Sequence, residues 1–274
     1  VRRAAGVLGE ALVTLGVVLA MFVAYQVWWT DLDAARAQSA ADLELDRRWG
    51  ASDNPRESGL NAEDAGPDAP GSTARGPGGL TEGTAFARLY IPAFGSDYRF
   101  AVVAGTGDAA LEIGPGHYTG TQAPGEPGNF AVAGHRVGRG APFNDLDALR
   151  TCDALVYATA DQWLIYRVLP VDAPDPVSAR DRAAGCLPAE LAARATSGRY
   201  EGLSGVSVVR PEDVWVIDAV PGRAGPASPD LLPLTTLTTC HPQYSAAERL
   251  VVHAVLERTE PRVAGSVPAE LGGR

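Results

Sequence analysis

Cys240 ends a run, Thr235-Thr236-Leu237-Thr238-Thr239-Cys240, whose β-branched residues suit a strand, and Arg249 opens the next such run, Arg249–Leu256. A thiolate is a strong nucleophile and the usual start of covalent acyl chemistry. A guanidinium beside it keeps its proton and can donate to a developing oxyanion or orient a peptide carbonyl. His241–Glu248 is long enough to form a loop that returns Arg249 beside Cys240. Alternation along the strand places Thr236, Thr238 and Cys240 on one face and turns Leu237 toward a core.

Such a pair needs an acid/base, and the chain has four histidines. His241 adjoins Cys240 and so faces the other way. His253 shares the parity of Arg249 but lies four residues along, roughly 13 Å at strand rise, and is read as packing in the sheet. His117 follows a Gly-Pro-Gly turn and is either a loop residue or a substrate contact. His135 ends the strand-like stretch Asn129–Arg136, where Gly134 permits close backbone approach and the imidazole projects into a cleft.

These residues are to be positioned by short strands. Alternating or β-branched runs recur at Phe86–Ile91, Arg99–Val103, Phe130–Ala133, Leu155–Tyr157, Trp163–Leu169, Val214–Ala219, Leu234–Thr239 and Leu250–Leu256, most of them bounded by Gly, Pro or Asp. Short helices fit at Asp108–Ile113, Phe143–Leu149 and Pro188–Thr196, and Val171–Gly205 has no clear strand pattern. The expected fold is all-β: an eight-stranded barrel with short helices over residues 85–260 and a tail at 261–274.

Ahead of the barrel, residues 1–6 carry Arg2 and Arg3, and 7–30 hold a charge-free core, Ala11–Thr30, about 30 Å long as a helix. Trp28 and Trp29 would sit at the far headgroups, with Asp31 and Asp33 beyond them. The basic flank puts the N-terminus in the cytoplasm and the rest outside the cell, in a single-pass arrangement. Residues 31–50 suit a short amphipathic helix, and the Gly- and Pro-rich 51–84 a flexible linker.

Three cysteines, at 152, 186 and 240, leave one thiol over in an oxidising compartment. Cys152 opens a strand and Cys186 lies in the long insertion, so these two are the expected disulfide and Cys240 is free. Two free buried cysteines are the alternative. The net charge of −10 argues against nucleic-acid binding, and the absence of any lysine excludes Schiff-base and Walker-type chemistry. Cys240-His241 is not metal-ligand spacing, and no cofactor motif is present.

TLTTC at 236–240 with Arg249, together with NFAVAGHR at 129–136, resembles the two signature blocks of the sortases, membrane-anchored cysteine transpeptidases of Gram-positive bacteria. IGPGHYTGT, APGEPGNF and GAPFNDL resemble the class E branch typical of actinobacteria, and the likeness spans roughly residues 85–258. It implies a sortase-type barrel with Cys240 as nucleophile, His135 as general acid/base and Arg249 holding substrate or oxyanion. It also implies a signal groove lined by Thr236, Thr238, Thr239 and Ala133, with Tyr118 as a wall. The implied substrates are secreted proteins with a C-terminal LAxTG- or LPxTG-like signal, cleaved between Thr and Gly. The implied acceptor is an amine of a cell-wall peptide or of lipid II. The loop Thr119–Gly128 holds only Glu126 as an acid, so the class A calcium site is not expected, and no metal or cofactor is required. A cysteine hydrolase without transfer, or an idle membrane-anchored binding barrel, are the competing readings.

Overall fold

The computed structural model describes residues 2–52, 79–263 and 265–272. Its strands are β1 (Ala85–Tyr90), β2 (Arg99–Ala104), β3 (Gly116–His117), β4 (Gly128–Ala133), β5 (Ala154–Ala158), β6 (Gln162–Val168), β7 (Val206–Val209), β8 (Pro233–His241) and β9 (Glu248–Pro261). They hydrogen-bond in the order β6-β5-β1-β2-β3-β4-β8-β9-β7, and a β6–β9 pairing closes eight of them into a barrel. β7 is the ninth strand and pairs with the first part of β9, beyond the ring closure. β4 runs parallel to β8, whereas β8 and β9 are antiparallel.

Two expectations are corrected. Val214–Ala219 is no strand: Val214–Ile217 forms a 3-10 turn, and the strand is Val206–Val209 instead. On the edge facing away from β8, β9 is occupied by β7 and then β6, which leaves the apolar 214–217 run no ladder to join there. It serves as a plug, with Val216 buried and its carbonyl accepting from Asn129. In the same way, only Leu146–Ala148 of the expected helix at Phe143–Leu149 is helical.

Alternation along the strands builds two cores. Val102, Phe130, Val132, Leu155, Tyr157, Leu164, Tyr166, Leu237 and Val252 point inward together. The opposite faces of β2, β5 and β6 present Ala101, Val103, Val156 and Ile165 to a helix. That helix is α1 (Arg2–Ser52), which is continuous through the residues expected to form a span and then a separate short helix. Among the described residues no helix is long and apolar enough to cross a membrane. The side chains of Trp28 and Trp29, and residues 53–78 of the expected linker, lie outside the described residues.

The second half of α1 is docked on the barrel. Ala41, Leu45 and Trp49 recur at four-residue spacing, one helical stripe, and all are buried. About one turn before Ala41, the Gln38 amide accepts from the Ala101 N–H at 2.8 Å and donates to the carbonyls of Ala101 and Ile113 at 3.0 and 2.7 Å. Buried Arg88 pairs with Asp42 and Asp46, and its guanidinium stacks on Trp49, whose other cationic neighbour is Arg262. Near the helix's outer end, Ala34 reaches the loop at Gly140.

The remaining helices are α2 (Asp108–Ile113), as expected, α3 (Pro176–Ala183) and α4 (Ala189–Ala195). Asp175 caps α3, accepting from the N–H groups of Val177 and Ser178, with Pro176 in the first turn. α3 and α4 form a third apolar cluster over Leu234 and Val255. Cys152 and Cys186 are disulfide-bonded, 5.7 Å apart at Cα, and tie this insertion to the turn before β5. The segment after β9 is tied down as well, because Glu270 accepts from Arg258 at 2.8 Å and pairs with Arg167.

Candidate active site

β4 and β8 are in register as Ala131↔Thr236 and Ala133↔Thr238. Beyond the last pair, the Gly134 N–H donates to the Thr238 carbonyl at 3.0 Å and the Gly134 carbonyl accepts from Thr239 Oγ1 at 2.8 Å. His135 and Cys240 each lie two residues past that last pair, at the ends of two adjacent parallel strands. On the other side, Cys240 is the direct partner of Arg249 in β9. The three residues thus form a row of neighbouring strand ends at one end of the barrel, and alternation along each strand gives them the same face.

Each element of that row is held by a distinct device. A Cβ on Gly134 would lie 2.5 Å from the Phe143 ring, so only glycine lets β4 end this close to the core. The Phe143 N–H returns to the His135 carbonyl at 3.0 Å. His135 is half-buried, and its Nε2 has no hydrogen-bond partner among the described residues. Burial, with a contribution from Arg139, holds its pKa below the ordinary imidazole range, against the opposing charges of Asp108 and Glu112. Arg249 Nη1 donates to the carbonyls of Ala246 and Glu248 at 3.1 and 2.9 Å, which sets the guanidinium on its own turn and leaves Nε and Nη2 to point elsewhere. Cys240 is a free cysteine and partly accessible.

The row can do acyl chemistry: a sulfur nucleophile, a largely neutral imidazole able to take and return a proton, and a fixed cation for an oxyanion. The expected groove residues divide. Tyr118 is partly exposed and its OH meets Thr238 Oγ1 at 2.9 Å, while Ala133 lies one row pair below His135. Thr236 is fully buried under the 214–217 plug, donating to Asn129 Oδ1 at 2.8 Å and meeting His253 Nδ1 at 2.8 Å. Thr239 has the parity of Leu237 and spends its hydroxyl on Gly134, on the face away from Cys240. Neither offers a wall to a substrate in this structure.

The other histidines are structural. His253 is wholly buried, and burial pushes its pKa down to about 3. His117 lies in β3 and stacks on Phe130 at 5.1 Å; it is buried and no substrate contact. His241 faces away from Cys240 as parity requires, but it is not idle: its Nδ1 accepts from Arg136 at 2.7 Å. Arg136 and Asp147, which complete that contact, carried no signal beyond standing directly after the AGH and NDL segments.

A cavity of about 400 Å³ lies in the insertion, walled by Pro170, Asp175, Thr196, Tyr200 and Ser204, and includes none of the three side chains of the row.

Known proteins give the same answer from outside. The chain is 30% identical over 264 residues to the sortase SrtE2 of Streptomyces coelicolor, covering 94% of this chain and 84% of that one. Its fold matches the SrtF sortase of Corynebacterium diphtheriae with a TM-score of 0.69 and 49% identity, over 75% of this chain and 98% of that one. Sortase E of Streptomyces avermitilis matches at a TM-score of 0.50 with 34% identity, over 70% and 99% of the two chains. A model of the sortase domain matches residues 89–257, the whole barrel from β1 into β9. The chain belongs to the sortases, a family of cysteine transpeptidases.

Proposed function

We propose that this sortase cleaves a C-terminal LAxTG- or LPxTG-like signal between Thr and Gly and transfers the protein to a cell-wall peptide amine, lipid II included. The observation that carries the reading is the pairing of Cys240 with Arg249 in β8 and β9, beside the end of β4 that leads into His135. The thiol proton passes to His135 as sulfur attacks the threonyl carbonyl, and Arg249 stabilises the tetrahedral oxyanion. His135 then returns the proton to the glycine amine as the C–N bond breaks, leaving a thioester on Cys240. An incoming amine attacks that thioester, gives a proton to His135 and regenerates the thiol. Tyr118, Ala133 and Thr238 flank the row and are assigned to the signal groove.

The chain is read as a class E-like enzyme, on the GHY, NFAVAGHR and TLTTC blocks and the likeness to SrtE2 and sortase E. It is also read as a single-pass protein of the Gram-positive cell membrane, N-terminus inside. Support comes from the charge-free Ala11–Thr30 and from Leu12, Val13, Leu15, Val17, Val18, Leu19, Met21 and Phe22, all exposed along α1 and covered by none of the described residues.

The test is incubation with a Leu-Ala-x-Thr-Gly peptide and hydroxylamine, with Cys240→Ala beside it. A threonine hydroxamate made only by the unaltered enzyme supports transfer through a thioester. Free threonine acid alone, whatever the amine, replaces transfer by hydrolysis.

A further inference from the structure

Behind the catalytic row lies a second row that the reaction does not touch. Arg136 follows His135 and His241 follows Cys240, so alternation turns both to the opposite face of the same two strand ends. There they meet: Arg136 Nη1 lies 2.7 Å from His241 Nδ1, and Nη2 lies 2.7 Å from Asp147 Oδ2. A guanidinium has no lone pair to offer, so Nδ1 is the acceptor and the imidazole proton sits on Nε2. Arg136 is 3% exposed although its one carboxylate partner, Asp147, is 55% exposed, and Arg136 Nε has no partner among the described residues. A buried, incompletely satisfied cation is costly and does not persist as surface decoration.

From this geometry we infer that Arg136 is a positioning residue which clamps the nucleophile strand to the acid strand by gripping His241. This rests on the sortase reading for its chemical consequence but not for its structure. The clamp joins three pieces of chain: the segment just past β4, the 3-10 turn Leu146–Ala148 that carries Asp147, and the last residue of β8, where the loop to β9 begins. Gln243 Nε2, donating to Asn144 Oδ1 at 2.8 Å, ties the same two loops farther out in solvent. The front row has no such tie. No hydrogen bond joins His135, Cys240 and Arg249 to one another among the described residues, and Arg249 bonds only to its own turn. The separation of acid and nucleophile is therefore set from behind, where the contact is charged, short and built on a buried guanidinium. A small slip of the strand ends would misplace both reacting groups while leaving the groove residues Ala133 and Thr238, held in the last paired row of β4 and β8, in place.

The experiment uses the full chain in detergent with the Leu-Ala-x-Thr-Gly peptide, and measures the first-turnover rate of acyl-enzyme formation and KM. His241→Leu removes the acceptor; His241→Asn returns one, since its Oδ1 falls near the position of Nδ1. Arg136→Met is a further variant, but its buried site puts folding at risk, so the His241 pair decides. The expected result is a fall of tenfold or more in the first-turnover rate for His241→Leu, KM within threefold, and recovery of most of the rate in His241→Asn. A rate unchanged in His241→Leu, or a loss that His241→Asn does not restore, overturns the clamp. Amide hydrogen exchange across 241–247 reads the contact without turnover: it should quicken in His241→Leu and not in His241→Asn. Unchanged exchange overturns the inference whatever the chemistry. If the unaltered enzyme forms no acyl-enzyme, the sortase mechanism falls while exchange still decides the clamp.

Discussion

Replacing Leu45 by Ala tests whether α1 is part of the catalytic domain or merely a stalk that leads to it. Leu45 is 1% exposed, packed with Ala41, Trp49, Ala85, Val103 and Ile165, whereas Leu43 on the same helix is 59% exposed. If the docking is real, Leu45→Ala loses the transfer energy of its removed methyl groups and leaves a cavity, together about 3 kcal/mol within a usual span of 2–5. In a domain of this size that lowers the melting temperature by about 6–12 °C. Leu43→Ala, on the solvent side, stays within about 0.5 kcal/mol and moves the melt by about 2 °C at most. Both variants keep the same helix propensity change, so their difference isolates packing against the barrel.

The assay is thermal unfolding of the full chain in detergent, followed by near-ultraviolet circular dichroism. A companion measurement follows exchange of the Ala101 amide, whose hydrogen ends on Gln38 of α1. Equal melting shifts for Leu45→Ala and Leu43→Ala would refute the docked helix. So would a barrel beginning at residue 79 that melts with the full chain, because that fragment strips Arg88, 7% exposed, of both Asp42 and Asp46.

Three further outcomes are expected. Gly134→Ala drives a methyl to within 2.5 Å of Phe143, so acyl-enzyme formation should fall at least tenfold while stability drops by about 1–3 kcal/mol; peptide turnover beside a denaturant melt checks it. Breaking the Cys152–Cys186 bridge, with a sequence separation of 34, frees a long loop in the unfolded chain and should cost about 3–4 kcal/mol in the chain-entropy model, read as a lower denaturation midpoint for the double serine variant. His253 is neutral when folded, with its pKa pushed down to about 3, and takes a proton near pH 6.5 when unfolded. Its contribution is thus lost as pH falls below about 6.5, at roughly 1.4 kcal/mol per unit until the folded value is reached, and His253→Gln should flatten that slope between pH 6.5 and 4 in stability measurements.

The barrel was legible because strands write their two faces into every second residue. Leu237 inward with Thr238 and Cys240 outward needed only parity, and the β4 and β8 ends followed from Gly134 and the threonine run. Val214–Ala219 shows where composition misleads: an apolar run looks the same whether it joins a ladder or plugs one, and only the occupied edge of β9 decides. The docked helix was hidden for a different reason. Nothing in the sequence ties Asp42 and Asp46 to Arg88, which stands more than forty residues away across 53–78, and Gln38 has no sequence mark of a residue that hydrogen-bonds to a strand backbone.

The site shows the same division within a single strand. Thr235 Oγ1 donates to the Phe130 carbonyl, Thr236 to Asn129 Oδ1, and Thr239 to the Gly134 carbonyl, while Thr238 meets Tyr118. Three of the four threonines lace β8 to β4, so Thr236 and Thr239, expected to line the groove, spend their hydroxyls on the frame in this structure. A β-branched residue is stiff at χ1 and fits a strand, and its hydroxyl can bond a neighbouring strand on either face. Valine would keep the first property and leave a buried carbonyl at Gly134 without its side-chain donor. The threonine run is therefore tied to catalysis through position: its bonds hold β8 to β4 in the register that brings Cys240 and His135 to neighbouring strand ends.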